Sequence, residues 1–342
     1  MLVLRIAAAL VFVLAGFTVR AATVLDDAGR RVEVPDTIAR VLAAGPPASA
    51  LLYTLAPEKM IGWVREPSAR EKPFLLPAVR DLPAYGRLTG RGNTANVEAV
   101  LTAQPDLILD VGTIDPTYVS LADRIQAQTG IPYLLFDGRL ERTADLYERL
   151  GIILGTPERA GELAAYARST LATVAERVAA VPADRRPRVY YGRGPEGLET
   201  GLAGSINVEL LAVVGAVNVA ASSAGGGLAQ VSLEDVLVWD PAVILGLDAA
   251  FVRHAREDPR WSGVAAVRDG RVYKVPTLPY GWFDAPPGVN RLIGVRWLGT
   301  LLYPGVFPED LREETRRYYR LFYQVDPDAA QLDELLAGAT GP

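Results

Sequence analysis

A 15-residue unit occurs twice, 136 positions apart and without a gap: NVEAVLTAQPDLILD at 96–110 and SLEDVLVWDPAVILG at 232–246. Six of the 15 positions are identical: Glu98/Glu234, Val100/Val236, Leu101/Leu237, Pro105/Pro241, Ile108/Ile244 and Leu109/Leu245. Each copy reads as an N-cap residue, a short helix with an acid in its first turn, a proline break and a buried strand. A chain that repeats one helix–strand unit in this way is expected to fold into two like halves.

The surrounding pattern agrees. Residues 23–35 contain VLDDAGRRVEV, two β-prone runs about Asp-Ala-Gly, which predicts an opening hairpin. Strands are predicted at 40–44, 60–64, 106–110 and 131–136, and again at 188–192, 242–246 and 271–275, with helical patterns between them. That alternation predicts parallel α/β sheets. Between the halves, Thr156-Pro157 offers an N-cap and a first-turn proline. Apolar residues then recur at Ala160, Leu163, Ala167, Leu171, Val174 and Val178 before Pro182. This predicts one helix of about 25 residues, roughly 38 Å long, stiff enough to act as a strut that limits closure. The expected fold class is α/β: two α/β lobes with mainly parallel sheets joined by one long α-helix, with a ligand cleft between the lobes. The expected divisions are a leader at 1–21, a first lobe at 22–142, a helical segment at 143–186 and a second lobe at 187–342.

The leader reading rests on Arg5, 14 uncharged residues at 6–19, and Val19-Arg20-Ala21 before Ala22. Fourteen residues fall short of the ~20 that span a bilayer, so a secretory signal cleaved near Ala21 is favoured over an anchor. Removing Arg5 and Arg20 leaves 33 basic against 40 acidic residues, a net charge of −7. With no long basic run, nucleic acid is not an expected partner. The chain has no cysteine, which excludes disulfides, thiolate metal sites and an acylated N-terminal cysteine.

Ligands of two-lobed α/β proteins meet loops beyond the carboxyl ends of the strands. The candidates there are Pro47 after the first strand, Trp63 after the second, and Tyr85 and Arg87 around Gly86. In the second half they are Arg193 beside Gly194 and the run Tyr280-Gly281-Trp282-Phe283. Aromatic rings can stack on a macrocycle or catechol, and guanidinium forks can pair with carboxylate, catecholate or oxyanion oxygens. Packing is the competing role for Trp63, Trp282 and Phe283. Tyr280 could also ligate haem iron as tyrosinate. Asp284, with Pro286 and Pro287, reads as fixing its loop, and Asn207 as a local cap. Glu98 and Glu234 either favour their helix dipoles or present one acid per lobe to a partner with basic pockets.

Taken together, the DDAGR hairpin, the paired helix–proline–strand units, the mid-chain helix, WSGVAAVRDGRVYKV at 261–275 and PYGWFDAPPGVNRLIGVRWL at 279–298 resemble a known family. It is the family of periplasmic receptors for ferric siderophores, haem and vitamin B12, whose lobes are joined by a single backbone helix. The resemblance covers essentially the whole chain after the leader. It implies a periplasmic, monomeric, non-enzymatic receptor without a resident cofactor or membrane insertion. Its partners would be an ABC permease dimer with a cytoplasmic ATPase, docked through Glu98 and Glu234. The stretch around 279–291 looks like a subgroup that takes iron complexes or, in some members, molybdate or tungstate. An iron chelate is the expected ligand and an oxyanion the alternative.

The single histidine, His254 in FVRHAREDPRW, weighs against a receptor for bare zinc or manganese and against a Ser-His-Asp hydrolase. No direct protein–metal ligands are expected. A glycosidase using Asp110 and Asp284 would need neither His nor Cys, and a haem carrier would need neither Glu98 nor Glu234.

Overall fold

In this computed structural model, residues 21–90, 94–221 and 226–340 are described. Apart from Ala21, the expected leader lies outside them. Strands β1 (Ala21–Leu25) and β2 (Arg31–Pro35) form the opening hairpin, paired antiparallel. Asp26 shapes the turn by accepting the N–H of Ala28 at 3.0 Å and of Arg30 at 2.9 Å, the behaviour expected of aspartate at a reversal.

The first sheet is parallel, in the order β3 (Val41–Ala43), β4 (Leu107–Gly112) and β5 (Tyr133–Asp137). Its strands are apolar runs because both faces are covered. The covering helices are α1 (Pro46–Leu55), α2 (Val97–Ala103), α3 (Pro116–Thr129) and α4 (Thr143–Ile153). The strand expected at 60–64 does not form: only single bridges occur, Val41 to Met60 and Trp63 to Ala84. At Gly62 an added Cβ would lie 2.4 Å from the Pro83 carbonyl oxygen, so this stretch is pressed against residues 83–85 instead of extending the sheet.

Helix α5 (Pro157–Ala179) has 23 residues, about 35 Å at 1.5 Å per residue. It buries Ala160, Leu163, Ala167, Val174 and Val178 of the predicted stripe, while Leu171 is half-buried. Pro157 opens the helix as expected, but the Thr156 side chain does not cap it.

The second sheet is also parallel, in the order β11 (Val272–Lys274), β10 (Val243–Gly246), β6 (Arg188–Gly192) and β8 (Val217–Asn218). A small antiparallel ribbon, β7 (Glu199–Gly201) with β9 (Leu228–Gln230), stands beside it. The helices here are α6 (Glu209–Val213), α7 (Leu233–Trp239), α8 (Ala249–Glu257), α9 (Ala265–Arg268) and α10 (Arg291–Leu302). Helix α11 (Leu311–Tyr318) runs into a wider turn at Tyr319–Tyr323 and is followed by α12 (Ala329–Leu336).

The largest apolar core includes buried residues of β3, β4 and β5, continues through α1, α4, α5 and α10, and reaches β6 and β10. The two halves therefore share it. It includes stacked aromatic rings, Tyr318 on Phe322 at 4.3 Å and Tyr319 on Tyr323 at 5.0 Å. A close-packed core common to both lobes opposes rotation of one against the other.

Candidate functional site

A cavity of about 530 Å³ opens between the lobes beyond the carboxyl ends of β4 and β6. Its wall includes Pro46 and Pro47 at the start of α1, Trp63 and Arg65, and Arg87 and Thr89. Further along the chain it takes in Asp110, Tyr118 of α3, Arg193, Asn207 and Tyr280. Helix α1 aims its N-terminus at this space with Gly45 at the cap and no side-chain cap. Pro46 and Pro47 have no N–H, so the positive end of the dipole is present while its first donors are missing. A ligand needing donors must find them on side chains.

Of the residues selected from the sequence, Pro47, Trp63, Arg87, Arg193 and Tyr280 line the cavity. Tyr85, Trp282 and Phe283 do not. The Tyr85 ring packs over Gly62. Trp282 is fully buried, its indole N–H 3.4 Å from the Tyr319 hydroxyl, and Phe283 is fully buried with its ring 4.4 Å from that of Tyr191. The reason is the tightness of the bend: an added Cβ at Gly281 would sit 1.7 Å from the Asp284 carbonyl oxygen. That fold-back turns both rings into the core.

The three lining arginines come from both lobes. Arg65 pairs with Glu71 at 2.5 Å. That hydrogen bond raises the Arg65 guanidinium. Burial alone would raise Glu71, but bonds from Arg65 and from the Ser68 N–H more than offset it and hold the carboxyl below its usual range. Arg193 pairs with Glu199 and places Nε 3.0 Å from Asp284 Oδ2, without the alignment of a hydrogen bond. Asp284 is fully buried and also accepts the Tyr191 hydroxyl at 3.2 Å and Asn207 Nδ2 at 2.8 Å. Asp284 thus anchors the loop by gripping Arg193, Tyr191 and Asn207 far along the chain, in place of the local Asx-type turn expected. Asn207 reaches across the wall to do so and is not the local cap expected; Ser205 caps that turn by accepting the Asn207 N–H at 3.3 Å. The Arg87 backbone is fixed by Thr94, whose side-chain oxygen accepts its N–H at 3.2 Å.

Burial pushes the Tyr280 phenol up, against a bond to Ser49 Oγ at 3.3 Å, so it stands as a neutral hydroxyl. Among the described residues no group of three or more His, Cys, Asp or Glu could hold a metal ion. His254 lies outside the cavity, 3.2 Å from Asp258.

Arg65 closes the loop Trp63-Val64-Arg65 expected to face the ligand, whereas nothing in a linear pattern marks Thr89 or Tyr118, which also line the cavity.

A second cavity, about 620 Å³, shares Gly112, Thr113 and Ile206 with the first. Its wall is mainly small and apolar, and its charged groups are paired, Asp137 with Arg139 and Glu209 with Arg291.

Glu98 and Glu234 are exposed at equivalent places in the first turns of α2 and α7. Asn96 caps α2 by accepting the Glu98 N–H at 2.9 Å; Ser232 caps α7 in a capping box with Asp235. Both helices end in a left-handed residue, Gln104 (φ 47°) and Asp240 (φ 40°), so the repeated unit is the same shape twice. Among the described residues no helix is long and apolar enough to cross a membrane.

A family model described as periplasmic binding protein matches residues 64–277. An ABC transporter solute-binding protein from Sulfurospirillum deleyianum superposes with a TM-score of 0.84 at 29% identity, covering 92% of this chain and 98% of its own. The molybdate-binding protein MolA of Haemophilus influenzae is 26% identical, with 90% of this chain and 93% of that protein aligned. The solved structure of MolA bound to molybdate superposes with a TM-score of 0.75 at 25% identity, covering 90% and 99%.

Proposed function

Since the chain belongs to the periplasmic binding protein family, we propose that it is the exported receptor of an ABC importer and that its cleft captures a tetrahedral oxyanion of the molybdate or tungstate kind. The observation that carries this is the convergence of Arg65, Arg87 and Arg193 from two lobes on one cavity, with the positive end of α1 beside them. Guanidinium forks are suited to oxyanion oxygens. Similarity to a molybdate-binding protein over nine-tenths of the chain points the same way. The lobes at 22–142 and 187–342 hold the ligand between them about the segment 143–186 and move little. The monomer docks Glu98 and Glu234 onto a permease dimer driven by a cytoplasmic ATPase, and the ligand leaves unchanged. Export would remove the leader near Ala21.

An iron chelate, whether siderophore, haem or corrinoid, is the second reading, and one observation favours it. A cavity of about 530 Å³ suits an organic ligand and exceeds what a bare oxyanion fills.

Calorimetric titration with molybdate, tungstate, sulfate, ferric siderophores, haemin and cobalamin separates the two. Saturable binding of molybdate or tungstate, weakened in Arg87→Ala and Arg193→Ala, is the expected result. Binding of a chelate alone moves the protein to the second reading, and no binding by any of them removes both.

A further inference from the structure

The arginines that suit the cleft to an anion have acids beside them. Arg65, Arg87 and Arg193 on its wall are matched by Glu71, Asp110 and Asp284. Two of these acids are committed to arginines, Glu71 to Arg65 and Asp284 to Arg193.

Asp110 is different. It stands near the end of β4, 3% exposed. Its carboxylate accepts the Thr89 hydroxyl at 3.2 Å, the Tyr133 hydroxyl at 2.8 Å and the Val111 N–H at 3.0 Å, all neutral donors. The charged and titratable groups around it are few. Arg30 attracts the ionised form but is itself paired with Asp26 and Asp123. Tyr118 on α3, on the cavity wall, is pushed up chiefly by burial and then by the Asp115 and Asp110 charges, and the positive end of α1 favours the ionised carboxylate. Burial outweighs all of these and pushes the Asp110 carboxyl up from its ordinary range.

Access comes from Gly45. A Cβ there would lie 2.7 Å from Thr89 Oγ1 and 3.8 Å from Asp110 Oδ1, so the missing side chain leaves the approach from the start of α1 to this pair open.

We propose that Asp110 is a specificity-determining residue of the cleft, which takes a proton from solvent as an oxyanion enters and donates it in a hydrogen bond to that anion. This rests on the oxyanion reading. The balance is simple: one carboxylate, one solvent proton and one dianion become a neutral carboxyl bonded to the dianion. With Glu199, which Arg193 also holds, the arginines and acids around the cleft then balance instead of leaving an excess of negative charge. An ionised Asp110 would repel the same ligand in a poorly solvated site.

The test is calorimetric titration of the leaderless chain with molybdate from about pH 6 to about pH 9, a range in which molybdate stays dianionic and binding that needs a protonated carboxyl weakens as pH rises. Affinity is expected to fall by about tenfold per pH unit once Asp110 ionises in the free protein. Repetition in buffers of different ionisation enthalpy should show up to one proton taken up per anion, a readout that needs no variant. Asp110→Asn, which keeps a donor without the charge, should bind with a flat profile. A flat profile in the unaltered chain, or a slope that persists in Asp110→Asn, overturns the role of Asp110 and leaves the oxyanion reading standing. Failure to bind either molybdate or tungstate at any pH overturns both.

Discussion

Arg291 and Glu209 form an ion pair that also ties the two halves together. Arg291, at the start of α10, is 1% exposed, and the guanidinium that meets Glu209 also donates to the Gly138 carbonyl of the first half. Glu209 in turn accepts the Leu140 N–H at 3.0 Å. Burial pushes Arg291 down, and Glu209 is the main influence that opposes it.

Removing one member of a buried pair strands the other, which costs about 3–5 kcal/mol, whereas replacing both with apolar or neutral groups is often near neutral. Glu209→Gln is therefore expected to lower unfolding stability by about 3–5 kcal/mol in urea denaturation followed by circular dichroism. Arg291→Met combined with Glu209→Gln should recover much of it. A single substitution costing under about 1 kcal/mol would mean the pair is already solvated.

Trp63 and Trp282 should separate in fluorescence. Trp63 lines the cavity and is held by its indole N–H to the Val79 carbonyl at 2.8 Å, while Trp282 is sealed in the core. Ligand-dependent quenching should vanish in Trp63→Phe and persist in Trp282→Phe. Quenching lost only in Trp282→Phe would mean that binding reorganises the shared core.

The fold was largely legible because its signal is local. Caps, a proline break and an apolar run set each copy of the repeat, and they place α2 with β4 and α7 with β10. Segment 60–64 misled because its β-prone composition says nothing of the close approach at Gly62 that keeps it out of the sheet. The prolines around Asp284 suggest a local turn, but the partners that hold it, Tyr191, Arg193 and Asn207, lie far along the chain. The burial of Trp282 and Phe283 was not legible, since an aromatic pair after glycine looks the same whether the bend turns outward or, as at Gly281, inward. Thr89 and Asp110 meet only in three dimensions, 21 residues apart.

Docking through Glu98 and Glu234 predicts a split between capture and transport. Both are exposed at the ends of like helices, and apolar Leu101 and Val238 lie exposed on the same two helices. Glu98→Ala with Glu234→Ala should leave ligand affinity unchanged and reduce uptake into cells by about tenfold or more, because charge pairs at an interface set encounter and register. Unreduced uptake in the double variant would remove the docking role.

Asp258 offers a pH test with a defined sign. It caps the turn after α8 and is held down to about 2, from 3.8 for a free side chain, chiefly by the Arg260 side chain, then by the Arg260 N–H, with His254 a smaller influence. A carboxyl depressed on folding stabilises the protein above its unfolded value and loses that contribution as pH falls through its folded value. Asp258→Asn should therefore melt below the unaltered protein at neutral pH. The gap should narrow as pH drops from 3.8 towards about 2, where protonation makes the two side chains alike. Melting temperatures of both proteins at stepped pH would show it. A constant gap would mean that Asp258 acts through the shape of its cap instead of its charge.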